Sequence, residues 1–193
     1  MDQRRIEGFS DEGAGRAAPD LVVRPTQDAD IAAVAAIYAH HVCHGTASFE
    51  LEPPSPTEMG ERWRGVVGMG CPHLVAVRSE RVLGYAYAAP YRSRPAYRHT
   101  VENSVYVDQL AHRQGIGGAL LERLILECAE RGFRQIVAVI GDNAPASIGL
   151  HASRGFETVG RLHAVGFKFG RWCDTTLMQR PLGEGAATLP SAS

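Results

Sequence analysis

The 193-residue sequence is poor in lysine and cysteine, and it has no long apolar segment. Its 20 basic and 21 acidic residues give a formal net charge of -1, so no overall positive field points to nucleic acid or an anionic membrane as a partner. Lys168 is the only lysine. Any clamp for a phosphate or a carboxylate must therefore be built from arginine, which is the better bidentate partner.

The cysteines are widely scattered and show neither a CxxC pair nor the Cys/His spacing of a metal site; they are Cys43, Cys71, Cys128 and Cys173. We expect reduced thiols that mostly pack in the core, and no metal. No apolar run approaches the ~20 residues of a membrane span, and the N-terminus shows no apolar signal-peptide core. These absences predict a cytoplasmic protein.

The length favours a single domain, since about 100 to 200 residues per domain is usual. Residues 1–20 show no hydrophobic period and are predicted to be a disordered leader, and the small, polar residues 183–193 a disordered tail. Residues 21–182 form the predicted domain. Strand and helix patterns alternate within it, with strands predicted at 21–25, 73–78, 81–91, 101–107, 135–141, 156–170 and 171–180.

Residues 101–121, VENSVYVDQLAHRQGIGGALL, run from a strand through a glycine turn into a helix. Period-two geometry puts Glu102, Ser104 and Tyr106 on one face of the strand. The glycines open an apolar helix, whose first N–H groups have no intrahelical partner and suit a phosphate. A carboxylate followed by an anion cradle indicates a group-transfer enzyme with a phosphorylated donor.

The glycine turn by itself is a weak signal, because dinucleotide-binding folds and many tight turns use similar glycines. A Rossmann fingerprint does not fit, because Leu120 stands where the third glycine of GxGxxG is required. A Walker loop does not fit either, because the sequence GK[ST] is absent. The identity of the phosphorylated donor has to come from the flanking residues.

The order of elements and the motif HRQGIG at 112–117 resemble the GNAT superfamily of N-acetyltransferases, whose acetyl-CoA motif is Q/R-x-x-G-x-G/A between a strand and a helix. The resemblance covers about residues 21–182. Four further stretches resemble the phosphinothricin and methionine sulfoximine N-acetyltransferase branch: TASFE at 46–50, RPAYRHTVENSVYV at 94–107, SIGLH at 147–151 and GFKFGRW-x-D at 166–174.

This resemblance implies an α/β fold, the GNAT acyl-CoA N-acyltransferase fold, with a mixed, mostly antiparallel sheet flanked by helices. The sheet is expected to splay between the strands at 101–107 and 135–140, so that acetyl-CoA can enter. Val105 and Val107 would bond the pantetheine arm through backbone groups. Backbone N–H groups near Tyr106 would donate to the carbonyl oxygen of the acetyl group.

The pyrophosphate of acetyl-CoA would lie on the glycine motif, and two departures from the family pattern affect that assignment. His112 stands where the family prefers Gln or Arg, so more of the phosphate contact falls to Arg113. Asn143 precedes Ser147 by four residues, whereas the family pattern has three. Asn143 and Ser147 are kept as expected cofactor contacts, with the motif residues His112, Arg113, Gln114, Gly115, Ile116, Gly117 and Gly118.

Glu102 matches the proposed base of the family, and a physical argument supports the same role. An α-ammonium cannot attack a thioester until it loses a proton, and a carboxylate within reach can remove it. The alternative, a strand-surface charge, is disfavoured by apolar neighbours. His151 occupies the place of a tyrosine that protonates the leaving thiolate in many superfamily members. It is either that acid or a structural histidine under the pantetheine arm.

Phe49, Arg92 and Arg94 are the expected acceptor-binding residues. Phe49 stands on a proline-rich loop, where it is either a pocket wall or a hydrophobic anchor. The two arginines lie just before Glu102 and suit charge-assisted bonds to a carboxylate or to the oxygens of a tetrahedral phosphorus or sulfur centre. Solvated surface arginines are the alternative.

The predicted reaction moves acetyl from acetyl-CoA to the α-amino group of a small acceptor of the phosphinothricin, methionine sulfoximine or methionine sulfone type. The family implies a homodimer. Another small amine or a peptide N-terminus is the alternative acceptor. A non-catalytic acetyl-CoA sensor is the alternative from a different class of protein.

Overall fold

The computed structural model describes residues 21–190. The leader predicted at residues 1–20 lies outside the described residues, as do positions 191–193 of the predicted tail. Residues 183–190 follow the last strand as turns and irregular chain. Arg134 contacts this segment, donating to Thr188 Oγ1 at 3.0 Å and to the Leu189 carbonyl at 3.3 Å.

Seven strands form one sheet in the order β1-β2-β3-β4-β5-β7-β6. Only β4 and β5 run parallel, and every other neighbouring pair is antiparallel. This confirms the predicted mixed, mostly antiparallel sheet. The strands are β1 (Val22–Pro25), β2 (His73–Arg78), β3 (Arg81–Pro90), β4 (Thr100–Val107), β5 (Gln135–Gly141), β6 (Glu157–Lys168) and β7 (Arg171–Pro181).

Helices cover the sheet, and local sequence signals set several of their ends. α2 begins with a capping box, in which Ser55 Oγ accepts from the Glu58 N–H at 3.2 Å and the Glu58 carboxylate accepts from the Ser55 N–H at 3.0 Å. α4 ends at Ala152, after which the chain turns and Gly155 adopts a φ of 77°. The helices are α1 (Ile31–His44), α2 (Pro56–Gly68), α3 (Ile116–Glu130) and α4 (Pro145–Ala152).

Two apolar layers, one on each face of the sheet, hold the helices in place. On one face α3 buries Leu120 and Leu124 against Ile136 of β5. On the other face α1 packs Tyr38 edge-on against Tyr106 of β4, with 5.1 Å between the ring centroids. A fully buried leucine stabilises the fold by about 1.5–3 kcal/mol, so these layers dominate the stability.

β4 separates the two layers in the way that its period-two pattern predicts. Val101 and Val105 pack in the α3 layer, whereas Tyr106 belongs to the α1 layer. The pairing of β4 with β5 ends at Asn103 opposite Ala138, although both strands continue beyond this pair. The sheet is therefore open between the ends of β4 and β5, which confirms the predicted splay.

Gly84 on β3 is required by close packing beneath β4. A Cβ at this position would lie 2.8 Å from the Tyr106 carbonyl oxygen and 3.1 Å from Leu120 Cδ1. Gly84→Ala should therefore lower the free energy of unfolding by about 1–3 kcal/mol, measured by urea denaturation. The control is Gly65→Ala in α2, where nothing lies within 4 Å; it should be stabilising by about 0.5–1 kcal/mol. Equal midpoints for the two variants would contradict this account.

Candidate active site

The backbone of β4 alternates between its two neighbouring strands. Tyr91 N donates to the Thr100 carbonyl at 3.1 Å, and Asp108 N donates to the Leu83 carbonyl at 2.9 Å. Even-numbered residues of β4 therefore direct their backbone groups to β3, and the N–H of Tyr106 does so too. Odd-numbered residues direct their N–H and carbonyl groups the other way, toward β5.

Val105 and Val107 are the odd-numbered residues that lie beyond the end of the β4–β5 pairing. Their backbone groups face the gap, and these are the two residues predicted to bond the pantetheine arm. The N–H groups on either side of Tyr106, rather than its own, are the donors that face this gap. The Val107 carbonyl is already occupied, because His41 Nε2 of α1 donates to it at 2.9 Å.

The gap opens into a cleft between the two strands, α4 and the chain that follows α1. Its walls are Ala47, Asn103 to Tyr106 on β4, Ala138 to Gly141 on β5, Ala144, Ser147 and His151. The cleft therefore brings together Val105, Tyr106, Ser147 and His151 from the predicted site.

The glycine motif forms the start of α3, next to the end of β4. Gly115 takes a left-handed φ of 77° as the N-cap of α3, and Arg113 also has a positive φ of 60°. Ile116 is fully buried and anchors the turn in the core, so its backbone is what it offers to a ligand. The first-turn N–H groups have no partner in the helix and carry the positive end of its dipole.

The side chains of His112, Arg113 and Gln114 are exposed on this turn, and Gly117 is half-buried. Gln114 Oε1 accepts from Arg78 at 2.9 Å, and the ring of His112 lies 6.5 Å from the ring of His41. Gly118 is buried, and a Cβ there would lie 2.7 Å from a guanidinium nitrogen of Arg154. The turn has the glycines and the exposed polar side chains that a pyrophosphate group requires.

Glu102 lies on β4 one residue before the end of the β4–β5 pairing and is half-buried. Burial raises the pKa of its carboxyl group, and the nearby positive charge of Arg92 acts in the opposite direction. Glu102 stands close enough to Tyr87 that its charge contributes to the raised pKa of that phenol, which is mainly due to burial. A half-buried carboxylate with a raised pKa is a stronger base than a solvated one.

His151 is 4% exposed and lies at the inner end of the cleft. Its Nδ1 lies 2.8 Å from the Ser147 carbonyl, and its Nε2 lies 2.9 Å from Asn103 Oδ1. Asn103 Nδ2 in turn donates to the Val137 carbonyl at 3.0 Å. Two acceptors favour a ring that carries both protons, whereas burial disfavours the charge, and on balance the pKa of His151 is lowered.

Asn143 is turned away from the cleft walls. Its Oδ1 accepts from Thr176 Oγ1 at 2.6 Å, and its Nδ2 donates to Asp174 Oδ2 at 3.4 Å. The extra residue between Asn143 and Ser147 gives a left-handed φ of 51° at Asn143, and its amide is held by β7. The structure therefore brings Ser147, but not the side chain of Asn143, to the cleft.

The three expected acceptor residues approach the site from two sides. Arg92 and Arg94 are exposed on the loop before β4, and no ion pair within residues 21–190 engages either of them. The Arg92 guanidinium lies 4.5 Å from the ring centroid of Tyr91. Phe49 is half-buried, and its ring packs against the backbone of Gly166 in β6.

A polar network beside Phe49 was not predicted from the sequence. Tyr38 Oη lies 2.8 Å from Ser48 Oγ and 2.9 Å from Glu50 Oε1, and Glu50 also pairs with Arg62 at 2.6 Å. Burial raises the pKa of Tyr38 to about 12, so its hydroxyl stays neutral. Residue spacing gives no signal for this network, because its members come from α1, the following loop and α2.

The chain belongs to the GNAT acetyltransferase family. The model of the acetyltransferase (GNAT) domain matches residues 23–177, which is most of the chain. The family match, together with the open sheet and the glycine turn, identifies the protein as an acetyl-CoA-dependent N-acetyltransferase. Of the two interpretations of the sequence, the enzyme is therefore correct and the non-catalytic sensor is not.

Curated relatives and solved structures are similar over nearly the whole domain. A phosphinothricin N-acetyltransferase of Alcaligenes faecalis is 54% identical over 87% of this chain and 86% of that protein. An L-methionine sulfoximine/L-methionine sulfone acetyltransferase of Salmonella typhimurium is 40% identical over 86% of this chain and 98% of that protein. The crystal structure of a phosphinothricin acetyltransferase from Sinorhizobium meliloti in complex with acetyl-CoA superposes with a TM-score of 0.88 and 46% identity, over 90% of this chain and 94% of that one.

Within residues 21–190, no group of three or more His, Cys, Asp or Glu side chains is arranged to hold a metal ion. No helix of the same region has both the length and the apolar character needed to cross a membrane. All four cysteines are free thiols, with Cys43 exposed and the other three buried. Burial of three of the four confirms that the cysteines mostly pack in the core.

Proposed function

We propose that this enzyme acetylates the α-amino group of a small amino-acid-like acceptor of the phosphinothricin, methionine sulfoximine or methionine sulfone type. The observation that carries the proposal is the position of Glu102. It is a half-buried carboxylate with a raised pKa, on the strand that borders the cofactor cleft and beside a loop with two unpaired arginines. The relatives that act on such acceptors, by their names, support the same acceptor class.

The residues at the cleft fit acetyl-CoA, which supplies an acetyl thioester when it is bound. The outward-facing backbone groups of Val105 and Val107 suit the amide-rich pantetheine arm. The exposed turn of His112, Arg113 and Gln114, with the free N–H groups of the first turn of α3, suits the pyrophosphate. Ser147 borders the same cleft from α4.

Glu102 is assigned the role of general base. The acceptor arrives as an α-ammonium, and its proton has to be removed before the nitrogen lone pair is available. Burial makes the carboxylate a better proton acceptor near neutral pH than an exposed one. The carboxylate takes this proton directly or through one water molecule.

Arg92 and Arg94 are assigned to the acidic end of the acceptor. Their guanidinium groups match the fork geometry of a carboxylate or of paired oxygens on phosphorus or sulfur. Phe49 is assigned to the opposite wall, where it packs against Gly166 and is therefore both an anchor and part of the pocket. The acceptor would lie between the arginine loop and this wall.

Of the two roles expected for His151, we assign the structural one. Its ring borders the cleft, and hydrogen-bond acceptors at both nitrogens, the Ser147 carbonyl and Asn103 Oδ1, hold it in one orientation. Burial lowers its pKa and disfavours the charged ring, so the leaving thiolate takes its proton from water. The backbone N–H groups of Val105 and Val107 are the donors that would face the carbonyl oxygen of the acetyl group.

Glu102→Gln tests the base. We expect acetyl-CoA affinity to be unchanged in equilibrium binding, and turnover at neutral pH to fall by about 10²–10⁴-fold, because the amide cannot accept the proton. CoA release is the readout, across methionine sulfone, methionine sulfoximine, phosphinothricin, free amino acids, polyamines and a peptide N-terminus. The control is Glu157→Gln, an exposed carboxylate on β6. Unchanged turnover in Glu102→Gln would contradict the assignment of Glu102 as the base. A wild-type preference for polyamines or for the peptide would contradict the proposed acceptor class.

Arg92→Gln tests the electrostatics of the same carboxylate. The Arg92 charge lowers the pKa of Glu102, so its loss should raise that pKa. The acid limb of the kcat profile, recorded at saturating acceptor, should therefore shift to higher pH. Arg94→Gln is the matched control: it should raise KM for the acceptor and leave the limb in place. The assignment would be contradicted if the acid limb shifted equally in both variants, or if it shifted in neither.

We also propose that two copies of the chain associate through the β6–β7 hairpin. β6 is the last strand of the sheet, so its outer edge has no partner among residues 21–190. Phe167, Phe169 and Trp172 are 58%, 57% and 66% exposed, and Phe167 and Trp172 contact each other with ring centroids 5.2 Å apart. An apolar patch on a sheet edge suits a second copy of the same edge.

Trp172→Arg should convert the protein to a monomer, as measured by size-exclusion chromatography with light scattering. The control is Leu126→Arg, which places the same charge at a 53% exposed leucine on α3 and should leave the mass unchanged. A wild-type protein that is monomeric throughout the accessible concentration range would rule out the dimer.

A further inference from the structure

Lys168 is the only lysine in the sequence, and its burial is unusual for this residue type. It ends β6 and is 3% exposed. None of the ion pairs among residues 21–190 includes it. A buried ammonium without a carboxylate partner is costly, and burial lowers the pKa of Lys168 accordingly.

The partners of Lys168 are two carbonyl groups of one distant segment. Its Nζ donates to the Gly45 carbonyl at 2.9 Å and to the Ser48 carbonyl at 2.7 Å. Both belong to the α1–α2 loop, residues 45–55, which joins α1 to α2. The ammonium also lies 5.1 Å from the ring centroid of Phe169. One side chain of β6 therefore holds down the first turn of this loop.

The α1–α2 loop forms one wall of the active-site cleft. Ala47, between the two carbonyls that Lys168 binds, lines the cleft. Phe49 follows, and its Cε2 lies 2.3 Å from where a Cβ on Gly166 would be, so only glycine allows this contact. A Cβ on Gly141 would lie 2.3 Å from the Thr46 carbonyl oxygen. The loop thus packs against the backbone at two glycines. Tyr38 and Arg62 hold it from the side of the helices, and Lys168 is the polar group that holds it from β6.

Only this loop compensates the cost of burying the Lys168 cation. An apolar side chain of similar volume would avoid that cost, but it would leave the Gly45 and Ser48 carbonyls without this donor. The loop carbonyls also satisfy the ammonium only in one arrangement of the loop, which makes the interaction specific for that arrangement. Since the ammonium is buried and directed at the loop, it does not reach the acceptor itself.

We propose that Lys168 is a positioning residue, which locks the α1–α2 loop against β6 so that Ala47 and Phe49 form the wall facing the acceptor. This deepens the proposed function, because it rests on the acceptor lying beside that wall. Most contacts assigned to the donor come from β4 and the start of α3, and the loop contributes only Ala47 to that cleft. Loss of the lock should therefore act mainly on the acceptor.

Lys168→Met tests the consequence for catalysis. KM for the acceptor found in the CoA-release panel should rise about tenfold, with the Kd for acetyl-CoA within about twofold of wild type. The urea midpoint should fall, because two carbonyl groups lose their donor. Arg123→Met, which removes an exposed cation on α3, should change neither constant. An unchanged KM, or equal losses in acceptor and acetyl-CoA binding, would overturn the proposal.

A second measurement needs no acceptor and no turnover, so it separates failure of this proposal from failure of the proposed function. Because Lys168 carries the only side-chain amine, its acylation by an N-hydroxysuccinimide ester, followed by peptide mass spectrometry, reports opening of the loop. Native protein should react at least about tenfold more slowly than the urea-unfolded chain. Phe49→Ala should accelerate the reaction, whereas Phe133→Ala on the α3 side should not. The proposal would be refuted if Lys168 were acylated at equal rates in the native and unfolded protein, or if Phe49→Ala did not change the acylation rate.

Discussion

The parting of β4 and β5 is the constraint on which the rest of the site depends. Parallel strands normally satisfy their backbone groups along the whole pair, but here pairing ends at Asn103 opposite Ala138. Beyond it, the N–H groups of Val105 and Val107 and the Val105 carbonyl face outward in the middle of a sheet, while the Val107 carbonyl accepts from His41. A ligand that is itself rich in amides can complete this broken ladder, and acetyl-CoA is such a ligand. In this proposed binding mode, the N–H groups at the start of α3 are the hydrogen-bond donors for the phosphates of acetyl-CoA.

β4 contributes both backbone groups and side chains to the proposed site. Backbone groups of its odd-numbered residues face the gap, while the side chains of Glu102 and Tyr106 point to the α1 side of the sheet. The proposed donor site and the proposed base are therefore parts of the same strand, and their relative position is as rigid as that strand. Rigidity of this kind is what proximity effects in catalysis require.

Polar groups that are costly to bury are concentrated around this opening. Glu102 is half-buried with a raised pKa, His151 is buried between two acceptors, and Lys168 is buried against two carbonyls. None of these three groups has an ion-pair partner among the described residues. The buried carboxylates farther from the opening, Asp30 and Glu127, are instead paired with arginines.

The sequence by itself determined the order of the elements, the faces of β4 and the glycine turn, because these depend on local periodicity and on backbone conformations that few residues adopt. It also identified the family, since several motifs recur at matched spacing. Only the tertiary structure decided which atoms meet. It showed Asn143 bound to β7, and it revealed the contacts of His41 with Val107 and of Lys168 with the α1–α2 loop. These contacts join residues far apart in the chain, and neither period nor spacing carries information about such long-range packing.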